Sequence, residues 1–152
     1  MAKKFKFRLE GLLKVREFSE KNLKIELGQL LKEAQKVRER IQKLQDDLEE
    51  GHQSQEAITK QGTDSEMLKF YPRFIQAKGE DIQNQENLLR SLERKIEKKR
   101  DELSLARGNV KMIENLKEKE KTSFKKEQEK KQQMDIEDIL QMRRMPKDGQ
   151  KK

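Results

Sequence analysis

The chain has 152 residues, of which 43% are charged and only 31% are hydrophobic, and its formal net charge is +8. So few apolar side chains cannot fill a conventional globular core, and the interspersed basic and acidic residues indicate long solvent-exposed helices with a mild basic bias. Cysteine is absent and histidine occurs once, which excludes disulfides and argues against a metal site, and no apolar run approaches the roughly 20 residues of a membrane span.

The N-terminal segment, residues 3–17, carries an apolar stripe that is broader than the one that follows it. Lys6 and Arg8 interrupt this stripe, so it lacks the continuous apolar run of a secretory signal, and we expect a cytoplasmic protein. Two interpretations of its aromatic residues stay open: a helix start that packs on the second helix, or a surface that docks a partner. Its apolar residues are Phe5, Phe7, Leu9, Leu12, Leu13 and Val15, and Phe18 follows directly after the segment.

From Leu23 onward, apolar residues recur at alternating steps of four and three, which is the heptad pattern of a coiled coil. Most residues between them are charged or carry an amide. One helix alone cannot bury so narrow a stripe, so the pattern predicts a helix over about residues 5–60 that pairs with another helix. The predicted core positions are Leu23, Leu27, Leu30, Ala34, Val37, Ile41 and Leu44, and the repeat continues to Leu48.

A turn is predicted at about residues 61–65. Gly62 is typical of a helix end, and Thr63 with Glu66 three residues later has the pattern of a capping box that starts a new helix. Pro72 lies a short distance further on and cannot make the normal helical hydrogen bond. The second helix therefore either begins near this proline or kinks there.

A second heptad series begins at Leu68 and predicts a helix over about residues 66–143. Polar residues interrupt both series, a feature that coiled coils tolerate because it fixes the register. The predicted core positions of the second helix are Ile82, Leu89, Leu92, Ile96, Leu103, Ala106, Val110 and Ile113, and the polar interruptions of the two series are Gln55, Lys78, Gln85 and Lys99.

Two long heptad series joined by a short turn should fold back on each other. The predicted fold is therefore all-α: a single antiparallel two-helix coiled-coil hairpin over residues 1–145, with an overhanging C-terminal helix and a disordered basic tail over 146–152. If the turn is centred near Gly62, the numbers of facing residues should add up to roughly 126, as in the pair Leu30 and Ile96. A slip of one heptad is the alternative that such a repeat leaves open.

The sequence contains no motif for catalysis. It has no phosphate-binding loop, no dinucleotide-binding glycine pattern and no Gly-x-Ser-x-Gly turn. A two-helix coil also offers no pocket in which a pair of carboxylates could be desolvated for acid–base work. His52 is better explained as a solvent-facing helix residue than as a base. We therefore predict a protein without enzymatic activity, without a cofactor and without a metal.

Four runs of residues follow one another in an order that is typical of a known family. They are Phe5-x-Phe7-Arg8-Leu9-Glu10-x-Leu12-Leu13-x-x-Arg16-Glu17, then Tyr71-Pro72-Arg73-Phe74-Ile75-Gln76, then Arg100-x-x-Leu103-x-x-Ala106 with Lys111, Glu114 and Leu116, and finally Met134-Asp135 through Arg143-Arg144. These runs resemble the opening, the start of the second helix, the C-terminal helix and the acidic-then-basic end of the FliJ family of flagellar type III export proteins.

The resemblance implies a non-enzymatic component of the flagellar protein-export apparatus. FliJ-family proteins form an antiparallel coiled coil similar to the central stalk of rotary ATPases. The partners that it implies are the hexameric flagellar export ATPase, the cytoplasmic part of the export-gate membrane protein, and the export chaperones. It also implies a cytoplasmic protein that associates peripherally with the cytoplasmic face of the inner membrane at the flagellar base.

On this resemblance, the two ends of the hairpin carry different contacts. The paired N- and C-terminal ends would face acidic loops of the ATPase, and the hairpin tip would contact the gate. The apolar heptad positions of the two helices form a seam between them. Packing in this seam explains Tyr71 and Ile75 as well as a gate contact does. The candidate ATPase contacts are Arg8, Arg16, Lys111 and Lys117, and the candidate gate contacts are Leu48, His52, Tyr71, Phe74 and Ile75.

Two other functions compete with this reading. A nucleic-acid-binding helix is the first, but glutamates stand between the lysines, as over residues 117–121, and weaken attraction to phosphate. A membrane-surface helix over residues 2–18, with basic and aromatic faces, is the second.

Overall fold

The computed structural model of the chain describes residues 3–62 and 65–144. These residues contain two α-helices, α1 over Glu10–Gln61 (52 residues) and α2 over Ser65–Arg144 (80 residues), and no strand. The prediction of an all-α helical hairpin is confirmed. The tail predicted over 146–152 lies outside the described residues.

The first helix begins at Glu10, five residues after the predicted start. Residues 3–7 are not helical, and the amide of Glu10 donates a hydrogen bond to the carbonyl oxygen of Phe7 at 3.2 Å. Within this N-terminal strap (residues 3–7) the lysines are exposed, whereas Phe5 is half-buried and Phe7 is buried. Alternating exposed and buried side chains are typical of an extended segment that packs one face against the rest of the protein.

The end of α1 has the conformation that its glycine predicts. Gly62 has a φ of +67°, the left-handed conformation that commonly follows the last turn of a helix and that glycine adopts without a steric penalty. The capping box was predicted for Thr63 and Glu66. Thr63 lies outside the described residues, and Glu66 stands in the first turn of α2, where a carboxylate is favoured by the helix dipole.

Pro72 lies inside α2, seven residues after the helix begins at Ser65. The start of α2 is therefore set upstream of the proline, close to the turn. Because proline has no backbone N–H, the carbonyl of Leu68 loses its usual helical donor at this point.

The chain divides into two compact units. The hairpin unit, Glu20–Leu105, has a core made of residues from both helices. Ala34 is fully buried at its centre, and all the buried side chains stand at positions of the predicted seams. Leu103 is also buried. The core cluster consists of Ala34, Val37, Ile41, Leu92 and Ile96, with Leu27, Leu30 and Leu89 packed against it.

The terminal unit, Met1–Ser19 with Ala106–Lys152, has a separate core in which the strap takes part. Phe7 is buried together with Leu13 of α1 and with Val110 and Ile113 of α2. Phe5 packs against this cluster, and its ring meets Phe124 with centroids 5.6 Å apart. Of the two interpretations of the N-terminal aromatics, packing on the second helix therefore describes the strap.

Contacts between the helices agree with the predicted register within each unit. In the hairpin unit Lys99 pairs with Glu26 at 2.7 Å and Lys78 pairs with Asp47 at 3.6 Å, and the residue numbers of each pair add up to 125. In the terminal unit Lys117 binds Glu10 at 2.8 Å, and those numbers add up to 127. Both values lie next to the predicted sum of about 126.

Two polar seam residues are accommodated in different ways. The amine of Lys99 leaves the seam and binds Glu26 and, at 3.1 Å, Glu102, and these hydrogen bonds raise its pKa above the usual 10.5. The side-chain oxygen of Gln85 is buried and accepts no hydrogen bond. A buried polar atom without a partner destabilises the fold, so Gln85 is a weak point of this seam.

Candidate docking surfaces

No three His, Cys, Asp or Glu side chains of the described residues are placed to hold a metal ion. His52 is exposed on α1, which is the position expected of a solvent-facing residue. Neither helix, over its described length, has a stretch apolar and long enough to cross a bilayer. The surfaces that could bind other molecules are grooves beside the seam and apolar side chains that the seam leaves outside.

A groove in the hairpin unit is built around three aromatic side chains. Phe70 and Phe74 stand one turn apart on α2 and stack with ring centroids 5.9 Å apart, and Phe70 meets Tyr71 edge to face at 5.4 Å. The amine of Lys78 lies 5.5 Å from the centroid of the Phe74 ring. This aromatic groove is lined by Asp47, Glu50, Gly51, Ser54, Phe70, Tyr71, Phe74 and Lys78.

The residues predicted to contact the gate lie at different depths. Tyr71 and Phe74 line the aromatic groove, Leu48 and Ile75 are half-buried, and His52 is exposed. Only the two aromatic residues of this set are thus brought together in one groove.

Phe74 is more deeply placed than its position in the sequence suggested, and Phe70 is exposed beside it. Phe74 stands outside the seam positions, yet it is half-buried because its ring packs on Gly51 of the other helix. Phe70 was not among the predicted contacts, and its side chain is 56% exposed. The spacing of four residues between the two phenylalanines was the available signal, since it places both rings on one side of a helix.

Of the four basic residues predicted to contact the ATPase, three are exposed and one forms an ion pair between the helices. Arg8, Arg16 and Lys111 are exposed. The amine of Lys117 donates a hydrogen bond to Glu10, and this bond raises the pKa of Lys117 above its usual 10.5. Lys117 therefore links the two helices within the terminal unit, and its charge is partly neutralised by Glu10.

The overhanging part of α2 carries apolar side chains that no other described segment covers. Residues 129–144 are all exposed. Acidic residues stand among the first of these apolar side chains, and Arg143 and Arg144 end the helix. The exposed apolar side chains are Met134, Ile136, Ile139, Leu140 and Met142.

The membrane-surface hypothesis depends on aromatic residues that the terminal unit uses for packing. Phe7 is buried and Phe5 lies against Phe124, so two of the three N-terminal aromatic rings are directed to α2. Phe18 is the exposed one. An interfacial helix would need all of these rings on a free face, and the strap is not helical.

Two long helices in antiparallel register, with candidate docking surfaces outside a narrow seam, define an antiparallel coiled-coil protein. The family described as "Flagellar FliJ protein" matches residues 5–147, which is nearly the whole chain, and the chain belongs to this family. It is thus a component of the flagellar export apparatus. Comparison with curated proteins and with solved structures gave no significant match.

Proposed function

We propose that this protein is a non-enzymatic central stalk and adaptor of the flagellar export apparatus. In this role it binds the hexameric export ATPase with its terminal unit and the cytoplasmic part of the export gate with its hairpin unit. It also hands export chaperones to this machinery, and it works at the cytoplasmic face of the inner membrane. Membership of the FliJ family and the presence of a separate candidate surface in each unit support the proposal.

The aromatic groove is the proposed gate contact, and the exposure of Phe70 is the observation that carries it. Aromatic side chains that remain 56% exposed are common anchors of protein interfaces. Glu50 lines the same groove, where Asp47 is already paired with Lys78, so the gate segment that fits it has an apolar side chain next to a basic one that reaches Glu50. The ring of Phe74, which packs on Gly51 of α1, forms the floor of the groove, and Tyr71 contacts Phe70 at its edge.

The proposed ATPase contacts are the exposed Arg8, Arg16 and Lys111. Free guanidinium and ammonium groups on one unit suit acidic loops of a partner, and such contacts weaken with salt. Lys117 contributes chiefly by fixing α2 to Glu10, so its replacement would loosen the terminal unit and lower ATPase binding indirectly.

A pull-down with the cytoplasmic part of the gate protein tests the gate contact. We expect Phe70→Ala to weaken binding by about tenfold, since exposed aromatic anchors contribute strongly to interfaces. Leu88→Ala is the matched control, because Leu88 is also an exposed apolar residue of α2. Equal gate binding by wild type and Phe70→Ala would contradict the assignment.

A second pull-down, with the export ATPase, separates the two surfaces. Arg8→Glu combined with Lys111→Glu should weaken ATPase binding and leave gate binding unchanged. Phe70→Ala should weaken gate binding and leave ATPase binding unchanged. If either variant lowers both interactions equally while circular dichroism shows an intact fold, the two-surface adaptor is the wrong description.

A further inference from the structure

Besides Phe18 and the side chains of the overhang, four apolar side chains of the terminal unit stay outside its core. Leu12 is 41% exposed and Val15 63% on α1, and Met112 is 70% exposed and Leu116 39% on α2. None of the four belongs to the core cluster of the unit or packs against it. Isolated exposed apolar residues are normal on a protein surface, so the significance of these four depends on whether they share one side.

Their heptad positions place them on the same side of the coil. The seven positions of the heptad are lettered a to g, with a and d in the seam. The buried residues Leu13 and Val110 stand at position a and Ile113 stands at position d, so Leu12 and Leu116 stand at position g. The same count puts Val15 and Met112 at position c, which is next to g on the helix surface. In an antiparallel pair the g positions of the two helices lie on one side of the seam and the e positions on the other. The four side chains therefore form one strip, the flanking apolar face (Leu12, Val15, Met112 and Leu116).

The hairpin unit shows directly that the g and c positions of its two helices border one groove. In that unit the groove is occupied by charged residues, with Leu30 and Lys99 at its base. The residues that line it from positions g and c are Glu26, Gln29, Glu33, Lys95, Lys98 and Glu102. Apolar side chains at the corresponding positions of the terminal unit thus differ from the charged lining of this groove.

The acidic residues of the terminal unit avoid one side of the coil. Glu10, Glu17 and Glu114 stand at e positions, together with Arg107 and Lys121, and Glu10 and Glu17 act on the same amine of Lys117. By contrast, the c and g positions over residues 12–19 and 109–123 hold no aspartate or glutamate, and their one charged residue is Lys119.

Basic residues continue at the end of the strip. Lys119 lines a groove together with the strap, where four lysines outnumber two glutamates. The charged residues of that groove are Lys3, Lys4, Lys6, Lys119, Glu120 and Glu127. A segment that follows the strip toward the strap would therefore meet apolar side chains first and then a net positive charge.

We propose that the flanking apolar face binds an amphipathic helix of a partner protein, and that this helix has acidic residues beside its apolar stripe. A helix laid into the groove would place side chains at i, i+3, i+4 and i+7 against the strip, as in other helix-in-groove complexes. A second copy of this chain is a poorer occupant in a parallel face-to-face arrangement, because that pairing would bring Lys119 and the strap lysines of both copies together, and only Glu120 and Glu127 of that groove would offset them. This contact is distinct from the proposed gate contact and from the basic residues assigned to the ATPase.

A designed peptide provides the probe. We would titrate the full-length protein into a fluorescein-labelled helix of about 21 residues with leucines at a and d and glutamates beside them, and follow the anisotropy. The control peptide has lysine in place of each glutamate. We expect the glutamate peptide to bind at least about tenfold more tightly than the lysine peptide, and its affinity to fall as salt is raised.

Two methionines of this chain form a matched pair of variants. Met112→Glu places a carboxylate in the flanking apolar face and should weaken binding of the glutamate peptide by about tenfold or more. Met142→Glu makes the same change at an exposed methionine of the overhang and should leave binding unchanged. Circular dichroism of both variants should match the wild type, since both side chains are largely exposed.

Several results would overturn the proposal. They are binding of neither peptide, equal binding of both peptides, or wild-type binding by Met112→Glu. A molar mass that rises with protein concentration in the wild type but not in Met112→Glu would assign the face to a second copy instead, and would equally overturn it.

Discussion

The ring of Phe74 occupies the space that a side chain at Gly51 would fill. A Cβ placed on Gly51 would stand 2.7 Å from one ring carbon of Phe74 and 3.0 Å from another, which is closer than carbon atoms pack. Gly51 is buried on α1 and Phe74 is half-buried on α2. The glycine therefore allows the ring to lie against the backbone of α1, and the position of Phe74 sets the floor of the aromatic groove.

Gly51→Ala should destabilise the protein although it improves helix propensity. Alanine in place of a helical glycine contributes up to about 1 kcal/mol, but displacing the Phe74 ring costs about 1–3 kcal/mol. Gly79→Ala is the control, since a Cβ at Gly79 meets nothing within 4 Å and should raise the free energy of unfolding. Urea titrations of both variants measure the difference, and an equal gain in both would mean that Phe74 does not pack on Gly51.

Ala34→Asp should strongly destabilise the hairpin unit. Ala34 has no exposed surface and lies among Val37, Ile41, Leu92 and Ile96, so a carboxylate there would be unpaired in an apolar core. We expect the free energy of unfolding to fall by about 3 kcal/mol or more. Gln35→Asp, on the exposed surface of the same helix, should change it by less than about 0.5 kcal/mol. Similar melting curves for the two variants would show that Ala34 is not at the core.

Gln85→Leu should stabilise the protein. The substitution removes a buried oxygen that accepts no hydrogen bond and adds apolar surface at a seam position, which together contribute about 1 kcal/mol. Gln83→Leu, at an exposed position two residues away, should have little effect. Chemical denaturation compares them, and a loss of stability in Gln85→Leu would mean that its side chain has a partner.

The ion pairs of Lys99 should make stability fall at high pH. Hydrogen bonds to Glu26 and then to Glu102 raise the pKa of Lys99 in the folded state above the 10.5 of the free amine. Its contribution is therefore fully present below pH 10.5 and is lost as the pH rises through the higher folded-state pKa. We expect melting temperature to fall more steeply above pH 10.5 in the wild type than in Lys99→Met. Lys36→Met, which removes an exposed lysine of α1, is the control, and parallel curves for wild type and Lys99→Met would exclude this role.

Heptad periodicity was enough to predict the helical hairpin and its register. A seam that is apolar every three and four residues is buried by pairing with a second such seam, and the short turn at Gly62 favours the pairing within one chain and the register in which those residues face each other. The ion pair between Glu26 and Lys99 and the contact of Gly51 with Phe74 both follow from that register.

The strap and the depth of the aromatic residues were not predicted. Helical periodicity was extended back through Phe5 and Phe7, although the alternation of lysine and phenylalanine there is typical of an extended segment. The exposure of Phe70 depends on which ring takes the space above Gly51, and that is decided by packing rather than by spacing. The absence of acidic residues from the c and g side of the terminal unit likewise becomes visible only when the e and g positions are assigned to opposite sides of the seam.

Every surface described above requires α1 and α2 of the same chain to face each other in this register. Because the chain has no cysteine, the double variant Ala34→Cys with Leu92→Cys tests this directly, since both positions belong to one core cluster. The control variant, Ala34→Cys with Lys99→Cys, is shifted by one heptad. After oxidation and non-reducing electrophoresis, we predict a cross-linked monomer for the first variant and little cross-linking for the second. Covalent dimers, or equal cross-linking of both variants, would contradict the account.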